Sequence, residues 1–303
     1  MAVTAKMVKD LRGRTGAGMM DCKNVLVETD GDIDKAIELL REKGLAKAAK
    51  KADRVAAQGL VRSAFSDDGK AAAIVEVNSE TDFVAKNEEF IEFVENLAKL
   101  ALDSDTDEMD AFMALPFEGG TVKDALTAKV AKIGENLQIR RFEKLNQPGV
   151  VYTGYIHGNG TIGVIVGMET EASAEEVFVT GKDVAMQVAS MSPKFLDESA
   201  VDPAFIEEEK KVMKQQVLNE GKKPEMVDRI VEGKLKKELK EYCLVEQKFV
   251  KDSDVTVKEY VTKSGSEIGK PMKVASFVRF EVGEGIEKKE ENFAEEVAKQ
   301  MNS

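Results

Sequence analysis

Histidine occurs once, at His157, and cysteine twice, at Cys22 and Cys243. With one imidazole, a histidine-based triad is confined to His157, and no serine lies in a GxSxG elbow. HExxH, CxxC and EF-hand spacings are absent too, so the chain carries no enzyme signature, calls for no cofactor and offers no metal set. Two cysteines far apart, outside any disulfide spacing, suit a reducing cytosol. A basic excess is also missing. The 303 residues hold 44 Lys+Arg against 56 Asp+Glu, a net charge of −12 and a pI near 4.9. That excludes a global electrostatic footprint for nucleic acid. No apolar run approaches the roughly 18 residues of a membrane span, and "MAVTAKMVKDLRGRTG" has no apolar signal core. A cytoplasmic chain with no direct nucleic-acid or membrane partner is expected.

What is present divides into segments. Residues 1–57 carry 12 basic and 9 acidic side chains, a local excess of bases against the global trend. They read as three short helices: one behind Thr4 with Met7, Val8 and Leu11 inward, one from Met19 through Cys22, Val25 and Leu26 to Gly31, and one from Asp32 to Gly44. This order matches a ubiquitin-associated-like module, and "LAKAAKKADRVAAQ" follows as a connecting helix with a basic face. From Gly59 the apolar period becomes that of strands. "GLVRSAF-SDDG-KAAAIVEV" and "GVVYTGYI-HGNG-TIGVIVGM" are both hairpins. An acidic loop and an amphipathic helix follow each, with Phe90, Phe93, Val94 and Leu97 inward in one and Val184, Met186, Val188 and Met191 in the other. "TVKDALTAKVAKIG" at Thr121 then matches "TVKEYVTKSGSEIG" at Thr256, and "RRFE" at Arg140 answers "VRFE" at Val278. The spacing predicts an internal duplication. The fold expected is α+β: a two-lobed core of antiparallel sheet and helices, 58–146 for the first lobe and 147–204 with 242–284 for the second. A charged antiparallel helical hairpin, 205–241, is inserted in the second lobe, with Gly221 and Pro224 at its turn. Residues 103–118 read as an acidic loop with six acids and no base, and 285–303 as a C-terminal helix with Phe293, Val297 and Met301 on one side.

Two stretches invite chemistry. "TGAGMMDCK" places glycines near Lys23, but a phosphate cradle needs GxxxxGK[ST] or a GxGxxG after a strand, and here a helix precedes. The favoured reading is a helix–helix turn with Met19 and Met20 packed inside; the alternative is an adaptable protein-binding surface. "NSETDFVAKNEEF" sets Phe83 and Val84 among Glu80, Asp82, Glu88 and Glu89 at a strand-to-helix turn, where small polar residues are usual. Such a Phe is either folded into its own core or offered to a partner.

"LRGRTGAGMMDCKNVL", "SETDFVAKNEEF", "VAKIGENLQIRR", "YIHGNGTIGVIV" and "VRFEVGEGIEKKEENFAEEV" together resemble the bacterial translation elongation factor Ts family, from about residue 3 to the end. The resemblance implies a guanine-nucleotide exchange factor for elongation factor Tu. It assigns Thr81, Asp82, Phe83 and Val84 to dislocation of the partner's Mg²⁺, with Phe83 as wedge and Asp82 positioning it. It also implies partner contacts at Ile133, Gly134 and His157 on the core, at Leu11, Met19, Met20 and Lys23 on the N-terminal module, and at Phe293 on the C-terminal helix. The competing class is an interaction scaffold with a ubiquitin-associated-like module and no exchange activity. Homodimer formation through the core or the helical hairpin stays open.

Overall fold

The extended residue Thr4 accepts a hydrogen bond from the Met7 amide (3.3 Å) and starts α1 (Ala5–Thr15). In the computed structural model, which describes residues 3–287, α2 (Met19–Glu28) and α3 (Ile33–Ala49) follow. Leu11, Cys22, Val25, Leu26 and Ala36 close a small core among the three helices, packed by Met7, Ile33, Ile37 and Leu40. Two expectations fail here. Gly44 does not stop the third helix, because α3 is buried at that point against α7 (Val122–Ile133), where a Cβ would meet Ala131 and Thr127 at 3.7 and 3.8 Å. Packing overrides the weak helix propensity of glycine. The basic stretch beyond it is correspondingly short of helix: α3 runs only to Ala49, and residues 50–57 are turns and irregular chain.

The described chain forms two compact units, residues 3–61, 75–143 and 281–287 in one and 62–74 with 144–280 in the other. The fold is α+β, with antiparallel pairing. In the first unit the strands β1 (Gln58–Phe65), β2 (Ala72–Ser79) and β5 (Gln138–Leu145) lie in the order β1-β2-β5, their far ends reaching past its limits. Next to them come α4 (Asp82–Ala85), α5 (Glu88–Asp103), α6 (Met109–Met113), the ribbon of β3 (Pro116–Phe117) and β4 (Gly120–Thr121), and α7. Phe90, Phe93, Val94 and Leu97 of α5 are buried, as the apolar period predicts. The acidic stretch 103–118 is no free loop. It contributes Phe112, fully buried and stacked on Phe142 at 4.4 Å, and Phe117, edge-on to Phe93 at 5.9 Å. Two aromatic anchors outweigh six solvated acids on the outer side.

The second unit repeats the plan. β6 (Val150–His157) pairs antiparallel with β7 (Ile162–Thr170), and β10 (Met272–Glu281) flanks β7, in the order β10-β7-β6. α8 (Ala174–Met191) covers this sheet through Val177, Val184, Ala185 and Val188. Met186 is only half-buried and Met191 is exposed, so the inward face is rotated from the expected one. Gly181 sets that rotation: a Cβ there would fall 2.0 Å from Thr153 Cγ2, so helix and strand touch at this point. The ribbon of β8 (Lys248–Phe249) and β9 (Asp252–Thr256) precedes α11 (Val257–Glu267), as β3–β4 precedes α7. Thr121 and Thr256 each close a capping box, with Asp124 and Glu259, and Val122 and Val257 are the first residues of their helices. The duplicated signature thus forms one and the same local structure twice.

α9 (Pro203–Asn219) and α10 (Pro224–Tyr242) form the antiparallel hairpin, each with proline in its first turn. Met213, Val217, Val227, Val231 and Leu235 fill its seam. Residues 288–303, with Phe293 and most of the expected C-terminal helix, lie outside the described residues.

Candidate functional site

β2 ends at Ser79, and the chain turns into α4, a single helical turn. Four residues cannot sustain a helix by their own hydrogen bonds, so something else must hold it. Val84 does so on the inner side, 7% exposed, and Asn87 caps the next helix by accepting from the Glu89 and Phe90 amides at 2.9 and 3.2 Å. Phe83, next to Val84, points the opposite way and is 78% exposed. Of the two readings of this Phe, burial in its own core is thereby excluded.

The acids around it act as struts. Glu135, just beyond α7, receives the amides of Glu80 (3.1 Å) and Thr81 (3.0 Å) on Oε2 and the Thr81 hydroxyl (2.6 Å) on Oε1. Glu80 returns the contact, accepting the Asn136 amide at 2.5 Å, and its carboxylate lies 3.5 Å from Arg54. Asn136 in turn donates its side-chain amide to the Arg54 carbonyl at 2.8 Å. Asp82 pairs with Lys86 at 2.6 Å, which holds its carboxyl below the usual carboxylate range, and the Lys86 ammonium lies 5.7 Å from the Phe83 ring centroid. Glu89 takes Lys129 at 2.7 Å and Lys132 at 2.6 Å from α7, and these two ammoniums, Lys129 first, keep it ionised to lower pH. Charge-assisted bonds of this kind are about twice as strong as neutral ones. Phe83 is therefore an exposed apolar side chain on a firmly braced turn.

The bracing brings two of the expected sites together. Ile133 and Gly134 end α7, and Gly134 adopts φ 89°, a left-handed cap that lets Glu135 and Asn136 turn back toward Thr81. Ile133 is half-buried and Gly134 exposed. On α2, Met19, Met20 and Lys23 are exposed, contrary to the packed-inside reading of the two methionines. Cys22, Val25 and Leu26 already occupy the inner face of that helix, and Met19 and Met20, its first two residues, stand off that face. Leu11 is wholly enclosed in the three-helix core, so it shapes this module and presents no side chain outward. His157, exposed at the end of β6 in the other unit, has Nδ1 3.0 Å from the Tyr155 hydroxyl. Glu80, Glu135 and Asn136 had no assigned role in the sequence. Their partners lie some 55 residues away, beyond any local pattern. Among the described residues, no three of His, Cys, Asp and Glu converge to hold a metal ion, and no helix is long and apolar enough to cross a membrane.

A family model described as "Elongation factor TS" matches residues 80–284. The curated "Elongation factor Ts" of Clostridioides difficile (strain 630) is 56% identical over 300 residues, 99% of each chain. Those of Clostridium novyi (strain NT) and Clostridium tetani (strain Massachusetts / E88) are each 54% identical, over 303 and 302 residues, again 99% of both chains. The matched segment contains the braced Phe83 turn, the second lobe's β6–β7 hairpin and the inserted helical pair. The chain belongs to the elongation factor Ts family and is a translation elongation factor.

Proposed function

We propose that the chain is a guanine-nucleotide exchange factor for elongation factor Tu, acting by intrusion of Thr81–Val84 beside the partner's Mg²⁺ site. The observation that carries this reading is Phe83, 78% exposed on a turn held by Glu135 and by buried Val84. A nucleotide held at nanomolar affinity sits about 12 kcal/mol down, so unaided release is slow. An exchange factor need not touch it. It must bind the nucleotide-free state better than the loaded one, and reciprocity then loosens the nucleotide by the same factor. Burying a Phe side chain is worth about 1.5–3 kcal/mol. If that burial occurs only once the metal site has opened, it accelerates release by roughly 10- to 150-fold. Mg²⁺ is a sensitive target, because it demands near-ideal octahedral oxygen geometry. Thr81 anchors the turn, Asp82 orients it through Lys86, and Val84 seats it. The parts 1–57, 58–146, 147–204 with 242–284, 205–241 and 285–303 serve as separate functional segments in this reading, with Met19, Met20, Lys23, Ile133, Gly134, His157 and Phe293 as further grips.

The test is release of labelled GDP from elongation factor Tu, with association measured alongside. Phe83→Ala is expected to lower maximal release about tenfold or more, and to weaken association with the GDP-loaded partner far less. Equal loss of both makes Phe83 an anchor only. Association without any acceleration by the unaltered chain favours the scaffold reading instead.

A further inference from the structure

A threonine that opens a helix normally accepts a hydrogen bond from the second or third amide of that helix. Thr81 stands at that position of α4, yet its hydroxyl caps nothing there. It donates to Glu135 Oε1 at 2.6 Å, and the same carboxylate holds the Glu80 and Thr81 amides. The short helix is therefore capped from outside, by a residue 54 positions away on the loop that leaves α7. The contact is closed from the other side by Glu80 on the Asn136 amide. Asn136 extends it to the Ala52 and Arg54 carbonyls, at 3.4 and 2.8 Å. Three stretches distant in sequence, 52–54, 80–81 and 134–136, are thus tied into one clasp, and Phe83 projects from it two residues beyond Thr81.

We infer that Glu135 is a positioning residue for nucleotide exchange: through Thr81 it fixes the angle of the Phe83 turn, and it locks that turn in register with the Ile133–Gly134 ridge. This rests on the exchange reading above. A single helical turn cannot stay formed on its own hydrogen bonds. Without the carboxylate the Glu80 and Thr81 amides lose their acceptor, and the turn samples many orientations. A wedge must arrive in one geometry, and small misplacements are costly in rate even when binding survives. Glu135 Oε2 serves both amides at once, so a neutral side chain of the same shape keeps most of the clasp, because one carbonyl oxygen accepts both. The Thr81 hydroxyl can then turn to accept from the new amide group.

The test uses the full chain with three variants, Glu135→Ala, Glu135→Gln and Thr81→Val, and the double variant Glu135→Ala/Thr81→Val. In GDP release from elongation factor Tu, Glu135→Ala is expected to lower the maximal rate about tenfold and to leave the half-saturating concentration within about threefold. Glu135→Gln should recover most of that loss. The double variant should be no slower than Glu135→Ala alone, because both changes break the same contact. The free chain supplies an independent reading: Glu135→Ala should speed amide hydrogen exchange at Glu80 and Thr81 without changing that of α5. Glu135→Gln as slow as Glu135→Ala, losses that add in the double variant, or a loss confined to half-saturation would each overturn the positioning role. Unchanged amide exchange would remove the clasp itself. If the unaltered chain accelerates nothing while the amides respond as stated, the exchange reading has failed, and the clasp is structural alone.

Discussion

Glu76 is a fully buried carboxylate in β2, between Val75 and Val77. Four donors meet it: Arg140 at 3.1 Å, Arg141 at 2.6 Å, the Asn78 side chain at 3.1 Å and the Gly283 amide at 2.9 Å. Arg140 also donates to the Glu284 carbonyl, so the segment that follows β10 is tied to β2 through this one acid. A buried charge with all its partners contributes little net stability over a good apolar replacement, but losing one member leaves the others uncompensated. Glu76→Ala is accordingly expected to cost about 3–5 kcal/mol, read as a lowered urea midpoint at unchanged slope. A loss under about 1 kcal/mol would mean that the two guanidiniums, about a quarter to a third exposed, rehydrate without penalty. The strand itself was legible in "AAAIVEV"; the role of its acid was not, because Arg140 and Gly283 are 64 and 207 positions away. Phe83 was half legible in the same sense. An aromatic among acids raised the question, but only folding decides that Val84 turns inward and Phe83 out.

At the level of elements, α8 carries a capping box in which Glu176 accepts from the Ser173 amide and hydroxyl at 2.8 and 3.0 Å and pairs with Lys270 at 2.7 Å. Lys270 first, then Ser173, pull its carboxyl down to about 2 from the ordinary 4.5. A carboxyl depressed on folding stabilises the native state above its unfolded value and loses that contribution as pH falls through the folded one. Thermal midpoints should therefore decline between about pH 4.5 and 2, and Glu176→Gln should flatten that part of the curve. An equal slope in both proteins would place the acid sensitivity elsewhere. The duplicated elements were readable because each depends on local chemistry: the TVK start with its capping acid and the Ile-Gly finish. Where tertiary contact decides, the reading failed. Gly44 looked like a stop until packing on α7 carried α3 past it. Phe112 sat in what looked like a loop until Phe142 covered it. The inward face of α8 kept Val184 and Val188 but exchanged Met186 and Met191 for Val177 and Ala185, because Gly181 lets Thr153 close in.

For the molecule as a whole, the proposed exchange mechanism has one consequence that ordinary binding lacks. An intrusion that works by disturbing the surroundings of Mg²⁺ accelerates a step that removal of the metal also accelerates. The two effects then overlap, since a site without the ion has less left to disrupt. In that proposed mechanism the braced Phe83 turn is the lever, so the overlap must pass through it. The resemblance to the family named this turn; the struts that make it rigid came from Glu80 and Glu135, whose partners no local pattern reveals. The deciding measurement is the GDP dissociation rate of elongation factor Tu by stopped flow, with and without a Mg²⁺ chelator, for the unaltered chain and for Phe83→Ala. The expected result is that chelation shrinks the acceleration given by the unaltered chain, and shrinks that of Phe83→Ala much less. An acceleration unchanged by chelation would contradict the mechanism and move the action from Thr81–Val84 to the Ile133, Gly134 and His157 contacts.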